Sequence, residues 1–175
     1  MAEALLRHRF TELGVDARVA SAGLLQAGNQ ASAHGVDILQ ARGIDMTTHR
    51  SRSMSRDILS SADLVIAMAR EHVREAVVMD PSLWPRTFTL KELVRRGEAA
   101  GPRRPGEPLS DWLARVGQGR RIADLTGSSP DDDIADPIGG PRLAYERLAT
   151  ELDGLLDRLV AVVFAGARAS HQGAR

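Results

Sequence analysis

Few side chains in this 175-residue sequence are equipped for chemistry, and most of them lie between patterned segments. Carboxylates gather in one stretch, Asp131-Asp132-Asp133 and then Asp136-Pro137. A placed carboxyl group passes a proton to a leaving group or takes one from water. By residue type alone, Asp136 is an acidic loop residue beside the triplet, solvated or helping to cap the last helix, since loop carboxylates are mostly solvated. Ser21 reads as a strand-end serine satisfying local backbone, and His49 as a surface histidine. His72 has nothing at metal-ligand spacing around it, so no metal is expected. Gly139-Gly140 reads as the turn after Asp136, with Pro141 opening the last helix. No G-x-G-x-x-G or Walker loop follows a candidate strand, which counts against an unrelated nucleotide-binding α/β module, and no cofactor is expected. The sequence holds no cysteine, which excludes disulfides, thiolate metal sites and thiol catalysis by these residues.

The elements that must position these groups follow from periodicity. Ala2, Leu6, Phe10 and Leu13 recur at helical spacing, and Gly14 is a natural stop. Ala17–Ala22 is short and β-compatible, and Ala33–Ala41 reads as a second helix. Asp63–Met68 is a near-continuous apolar run of the kind found in a parallel strand buried on both faces. A helix over Arg70–Val78 and a weaker strand over Arg86–Leu90 follow. Gly97–Pro108 is rich in proline, glycine and charge, which predicts a loop, and a short helix spans Leu109–Val116. Ser128–Gly140 is another loop, whose aspartate triplet is read as solvated. Leu148, Leu152, Leu155, Leu159 and Val162 form the stripe of the last helix. Strands alternating with helices predict an α/β layer architecture with a parallel sheet.

The bulk numbers set bounds. A hydrophobic fraction of 43% and a charged fraction of 26% suit one folded domain, placed here at residues 1–166, with a loop-rich insertion at about 97–130 and a disordered tail over 167–175. Basic and acidic residues balance at 23 each, which gives no electrostatic reason to expect nucleic acid as a partner. No apolar run approaches the ~20 residues of a membrane helix, so no membrane partner is expected. Met1 leads directly into Ala2-Glu3-Ala4 without a signal-peptide pattern, and the cytoplasm is the expected location.

The order of segments resembles the low-molecular-weight protein tyrosine phosphatase family. Met1–Arg7 is similar to the helix after that family's phosphate loop, and Ser21-Ala22-Gly23 to its second-strand ending. Gly43-Ile44-Asp45 and His49-Arg50-Ser51-Arg52 resemble the approach to its third strand. Ala62–Met68 with Glu71-His72 resembles that strand and its sequel, and Asp136-Pro137 the Asp-Pro loop before the final helix.

The resemblance implies a three-layer α/β sandwich whose parallel sheet has four strands in the complete family and three here. It implies hydrolysis of phosphate monoesters, on phosphotyrosine in a protein or on a small aryl phosphate, through a cysteinyl-phosphate and without metal. Asp136 matches the general acid, and Ser21 and His49 match positions whose hydrogen bonds support the phosphate loop. Glu3, one turn into the first helix, is taken as a residue favourable to the helix dipole. In the family, a strand ending in Cys-x5-Arg-Ser/Thr-Pro precedes that helix. Backbone N–H groups there converge on the phosphate, lower the cysteine pKa, and are joined by the arginine's bidentate fork. Met1 stands immediately after the family's Ser-Pro, so the expectation is a chain truncated at its N-terminus, lacking the first strand and the nucleophile, and inactive as it stands. The alternative is a phosphatase-like interaction protein without catalysis. Where many members carry aromatic residues after Asp-Pro, this chain has Ile138 and Gly139.

Overall fold

The computed structural model describes residues 1–164, so the expected tail at 167–175 lies outside the described residues. The chain divides into two compact units. The first takes Met1–Ser53 and Ala135–Asp157, and the second takes Met54–Ile134 and the described residues from Arg158 onward.

The first unit opens with α1, Ala2–Leu13, which ends where Gly14 turns into the left-handed region at φ 62° and carries the αL cap that terminates helices. α2 covers Ala33–Gln40, and its first turn is capped by Ser32, whose Oγ accepts the Gly35 N–H at 3.2 Å. The last helix, which we number α7, runs over Arg142–Val163 and contributes its Arg142–Asp157 stretch to this unit. Ile38, Tyr145 and Ala149 form a buried cluster with Met1 packed against it. Arg9 fixes α1 to α7 through Asp153 and Asp157, each at 2.8 Å, while Arg42 also pairs with Asp153.

The expected strand over Ala17–Ala22 does not form. The segment makes no ladder; beside it, Gly23 and Ser53 share a single parallel bridge. Val19 and Ser21 are half-buried while Ala17, Arg18, Ala20 and Ala22 are exposed. A β-compatible stretch becomes a strand only when a neighbour takes up its row of backbone donors and acceptors, and here none runs alongside.

The second unit holds α3 (Arg56–Ser60), β1 (Val65–Ala67), α4 (Arg70–Met79), a 3₁₀ turn at Pro81–Arg86 and β2 (Thr87–Thr89). It continues with α5 (Leu90–Ala100), α6 (Leu109–Val116) and a second 3₁₀ turn at Ile122–Leu125. β1 and β2 pair in parallel with Val65 opposite Thr87, Ile66 opposite Phe88 and Ala67 opposite Thr89. Among the described residues the sheet therefore has two strands, not three. β2 is fully buried despite its two threonines, because each hydroxyl is used. Thr87 donates to the Leu83 carbonyl at 2.9 Å, and Thr89 caps α5 by accepting the Glu92 N–H at 3.1 Å. Ala67, Val73, Val77 and Leu125 form one apolar cluster, and Leu59, Ala76 and Leu83 another.

The structure departs from expectation at the Gly97–Pro108 loop and at the aspartate triplet. The loop predicted from Gly97 begins only at Gly101, since α5 continues to Ala100. Gly97 is required for packing: a Cβ on it would lie 3.1 Å from the Trp112 ring and 3.2 Å from Val162. The aspartate triplet is not all solvated. Asp132 is 5% exposed and pairs with Arg70 at 2.7 Å and Arg95 at 2.9 Å. Asp133 accepts the Arg70 N–H at 2.7 Å, which caps α4, and the Ser129 N–H at 2.8 Å. Only Asp131 is exposed.

Among the described residues no helix is long and apolar enough to cross a membrane.

Candidate active site

Glu3 sits in the first turn of α1, where backbone N–H groups lack intrahelical partners and an acidic side chain is favourable. Its carboxylate is 11% exposed and gathers three neighbours. Ser21 donates its hydroxyl to Oε2, Arg7 pairs with Oε1 from one turn further along, and His49 Nδ1 lies 3.9 Å from Oε2. Burial pushes the Glu3 pKa up, but the Ser21 hydrogen bond and the charges of Arg7, His49 and Arg52 outweigh it and hold the carboxyl below its ordinary range.

The loop carrying His49 is built by short-range bonds. Asp45 Oδ1 accepts the Thr47 N–H at 2.8 Å and the Thr47 hydroxyl at 2.7 Å, an Asx turn. The His49 N–H then donates to the Met46 carbonyl at 3.1 Å, and Arg50 donates back to the His49 carbonyl at 2.8 Å. A recess of about 210 Å³ opens between the start of α1 and this loop, lined by Met1, Glu3, Arg7, Asp45 and His49 among others. Burial lowers the pKa of the Met1 amino group at its edge, against the opposing attraction of Glu3.

Asp136 is exposed and its hydrogen bonding is local, with Oδ1 accepting the Ile138 N–H at 3.0 Å. The Gly140 N–H closes the turn onto the Pro137 carbonyl at 2.8 Å, and the Ala144 N–H starts α7 on the Pro141 carbonyl at 2.9 Å. None of the hydrogen bonds around Glu3 reaches Asp136. The structure thus joins Ser21 and His49 at the Glu3 carboxylate, for which the helix dipole alone is a sufficient local explanation, and holds Asp136 on its own turn. The Glu3–Arg7 spacing is visible in the sequence, but nothing there shows that Ser21 returns to the same carboxylate. Ile138 is 68% exposed and offers an aliphatic surface beside Asp136. The aromatic residues are engaged elsewhere. Trp112 is fully buried, Tyr145 is buried with its ring 5.4 Å from that of His34, and Trp84 stacks with Arg120.

Among the described residues no group of His, Asp or Glu is arranged to hold a metal ion. The arrangement supplies a carboxylate that gathers a hydroxyl, a guanidinium and an imidazole at the start of α1, and a separate exposed carboxyl group on the turn before α7.

Residues 1–101 match the low molecular weight phosphotyrosine protein phosphatase family. A protein-arginine-phosphatase from Geobacillus stearothermophilus is 32% identical over 160 residues, which span 91% of this chain and 83% of the relative. A solved low molecular weight protein tyrosine phosphatase from T. tengcongensis shares 31% identity with a TM-score of 0.67, covering 91% of this chain and 86% of that one. The arginine phosphatase YwlE, solved as a cysteine-to-serine variant with a phosphorylated active-site serine, shares 26% identity with a TM-score of 0.66, covering 90% of this chain and 82% of that one. With the family matched over residues 1–101, more than half of the chain, and a likeness in fold to a solved member, the chain belongs to the low molecular weight phosphotyrosine protein phosphatase family.

Proposed function

We propose that the complete protein hydrolyses phosphate monoesters through a cysteinyl-phosphate, acting on phosphorylated protein in the cytoplasm, and that this chain supplies the scaffold and the general acid. In this reading Asp136 protonates the leaving group, and Ser21 and His49 act through Glu3 to support a phosphate-binding loop at the head of α1. The thiolate and the loop arginine come from a segment joined to that helix, whose strand completes a four-stranded parallel sheet. The observation that carries the reading is the convergence of Ser21, His49 and Arg7 on Glu3 in the first turn of α1. Further support comes from the phosphorylated serine at the active site of the YwlE variant, which stands where that enzyme has cysteine. The chain has no cysteine, so on this reading it is inactive by itself.

The test compares turnover of p-nitrophenyl phosphate by the 175-residue chain and by the product of the reading frame extended upstream. Activity is expected only in the extended protein, and only with its cysteine intact. Turnover by the shorter chain that Asp136→Asn abolishes would show a different nucleophile at work.

A second substrate reading has its own support. The Geobacillus relative is a protein-arginine-phosphatase, and exposed Ile138 provides no aromatic face for a phenol. Paired peptides carrying phosphoarginine or phosphotyrosine, assayed with the extended protein, decide between them. A preference of tenfold or more in kcat/KM for phosphoarginine assigns the chain to that substrate, and the opposite preference assigns it to phosphotyrosine.

A further inference from the structure

The five residues from Asp136 to Gly140 form one hydrogen-bonded unit on the threshold of α7. Pro137 restricts the residue before it, Asp136, to extended backbone. The Asp136 Oδ1 accepts the Ile138 N–H at 3.0 Å, while the Gly140 N–H closes onto the Pro137 carbonyl at 2.8 Å. Between these bonds Gly139 adopts φ 74°, where an L side chain is strained. At Gly140 a Cβ would stand 3.0 Å from the Pro137 carbonyl oxygen and 3.5 Å from the Ala144 Cβ. The obstructing atom is a backbone oxygen, and it is the acceptor that closes the turn. The two glycines therefore fix the turn in different ways, one through backbone conformation and one through close approach.

We propose that Gly139 and Gly140 are positioning residues for the acid Asp136: their turn holds Oδ1 on the Ile138 N–H and leaves Oδ2 as the oxygen that carries the proton. This rests on the reading of Asp136 as the general acid. In the step concerned, the thiolate forms the S–P bond while the P–O bond to the leaving group breaks. The bonding pair stays on the leaving oxygen, and the proton on Asp136 Oδ2 moves to that oxygen, which leaves Asp136 as carboxylate. Displacement of such a group by about 1 Å costs on the order of 100-fold in rate.

The experiment uses the extended, cysteine-bearing protein and compares phenyl phosphate with p-nitrophenyl phosphate. Gly140→Ala is expected to lower kcat on phenyl phosphate by about 10- to 100-fold with KM little changed. The loss should shrink on p-nitrophenyl phosphate, whose leaving group departs without a proton. In an Asp136→Asn background Gly140→Ala should have no further effect on kcat. Should Gly140→Ala fail to fold, the Gly139 pair decides, because asparagine tolerates positive φ and valine does not. Gly139→Asn should recover most of the kcat that Gly139→Val loses. Equal losses on both substrates, a change confined to KM, or full additivity with Asp136→Asn overturns the positioning role while leaving Asp136 as the acid. Absence of any leaving-group dependence in Asp136→Asn itself overturns the acid assignment and the positioning role with it.

Discussion

The imidazole Nδ1 of His49 lies 3.9 Å from the Oε2 oxygen of Glu3, the same oxygen to which Ser21 donates its hydroxyl. With Ser21 donating to that oxygen and Arg7 paired with the other, the Glu3 carboxyl is held below its ordinary range in the folded chain.

The folded Glu3 pKa lies below its ordinary value, so its stabilisation is fully present above about pH 4.3 and is lost as pH falls through the lower folded pKa. Glu3→Gln should cost about 1–3 kcal/mol at pH 7, the range for a buried hydrogen-bonded group left partly unsatisfied. Urea denaturation at pH 7 and pH 3.5 checks both statements, since the gap between variant and parent should narrow at the lower pH. An unchanged gap would mean that Glu3 is not the group that titrates there.

Much of the helical scaffold was legible in the sequence. The apolar stripes of α1 and α7 and the short helix Leu109–Val116 required only a period near 3.6, because each buries one face. The parallel strands around Ile66 and Phe88 were equally visible as apolar or β-branched runs. What local pattern could not supply was long-range pairing. Ala17–Ala22 has strand composition but no partner, and a ladder belongs to two segments at once. Asp132 resembles its neighbours Asp131 and Asp133 in every local respect, and only its distant arginines make it a buried ion. Gly97 looks like a loop residue until Trp112 is placed against it. At the candidate site, Asp136 stood out through its family context, whereas Glu3 was masked by a sufficient local explanation, the helix dipole.

Asp132 provides a second acid-sensitive contact. Burial pushes its pKa up, yet the hydrogen bonds and charges of Arg95 and Arg70 bring it below the ordinary range. Its contribution is therefore present above about pH 3.9 and lost as the carboxyl protonates below that. Arg95 is half-exposed and recovers water when its partner is removed, so the cost falls short of a fully buried pair. Asp132→Asn should destabilise by about 1–3 kcal/mol in chemical denaturation at pH 7. Asp131→Asn, on an exposed side chain, should change stability by less than about 0.5 kcal/mol.

Arg120 is held more tightly than any loop arginine needs to be. Its side chain is 2% exposed, donates to Glu92 at 2.7 and 3.1 Å, and reaches the Trp84 and Thr87 carbonyls at 3.2 and 2.8 Å. Its guanidinium lies 3.9 Å from the Trp84 ring centre and 3.8 Å from that of Phe88. Arg120→Ala leaves Glu92 with only Arg96 among these partners and strips two carbonyls of a donor, and should cost about 3–5 kcal/mol. Arg120→Lys should recover little of that, because an ammonium offers neither the bidentate fork nor the flat face that stacks between two rings. A urea midpoint for Arg120→Lys close to the parent's would refute the stacked, forked role.

Two glycines within helices should respond to the same substitution with opposite signs. A glycine inside a helix costs about 0.5–1 kcal/mol relative to alanine, so replacing it is favourable wherever a methyl group fits. Gly154 lies in α7 with nothing within 4 Å of an added Cβ, and Gly154→Ala should stabilise the chain by about that amount. Gly97 lies in α5 with a Cβ position 3.1 Å from Trp112 and 3.2 Å from Val162, closer than ordinary van der Waals contact. Trp112 has little room to yield, since it is fully buried and its indole N–H donates to the Gly101 carbonyl at 3.0 Å. Overpacking of this kind costs about 1–3 kcal/mol, which outweighs the gain in helix propensity. Thermal unfolding of the two alanine variants should therefore move Tm upward for Gly154→Ala and downward for Gly97→Ala. If both moved upward, α5 and α6 would have to pack less closely than the Gly97–Trp112 contact requires.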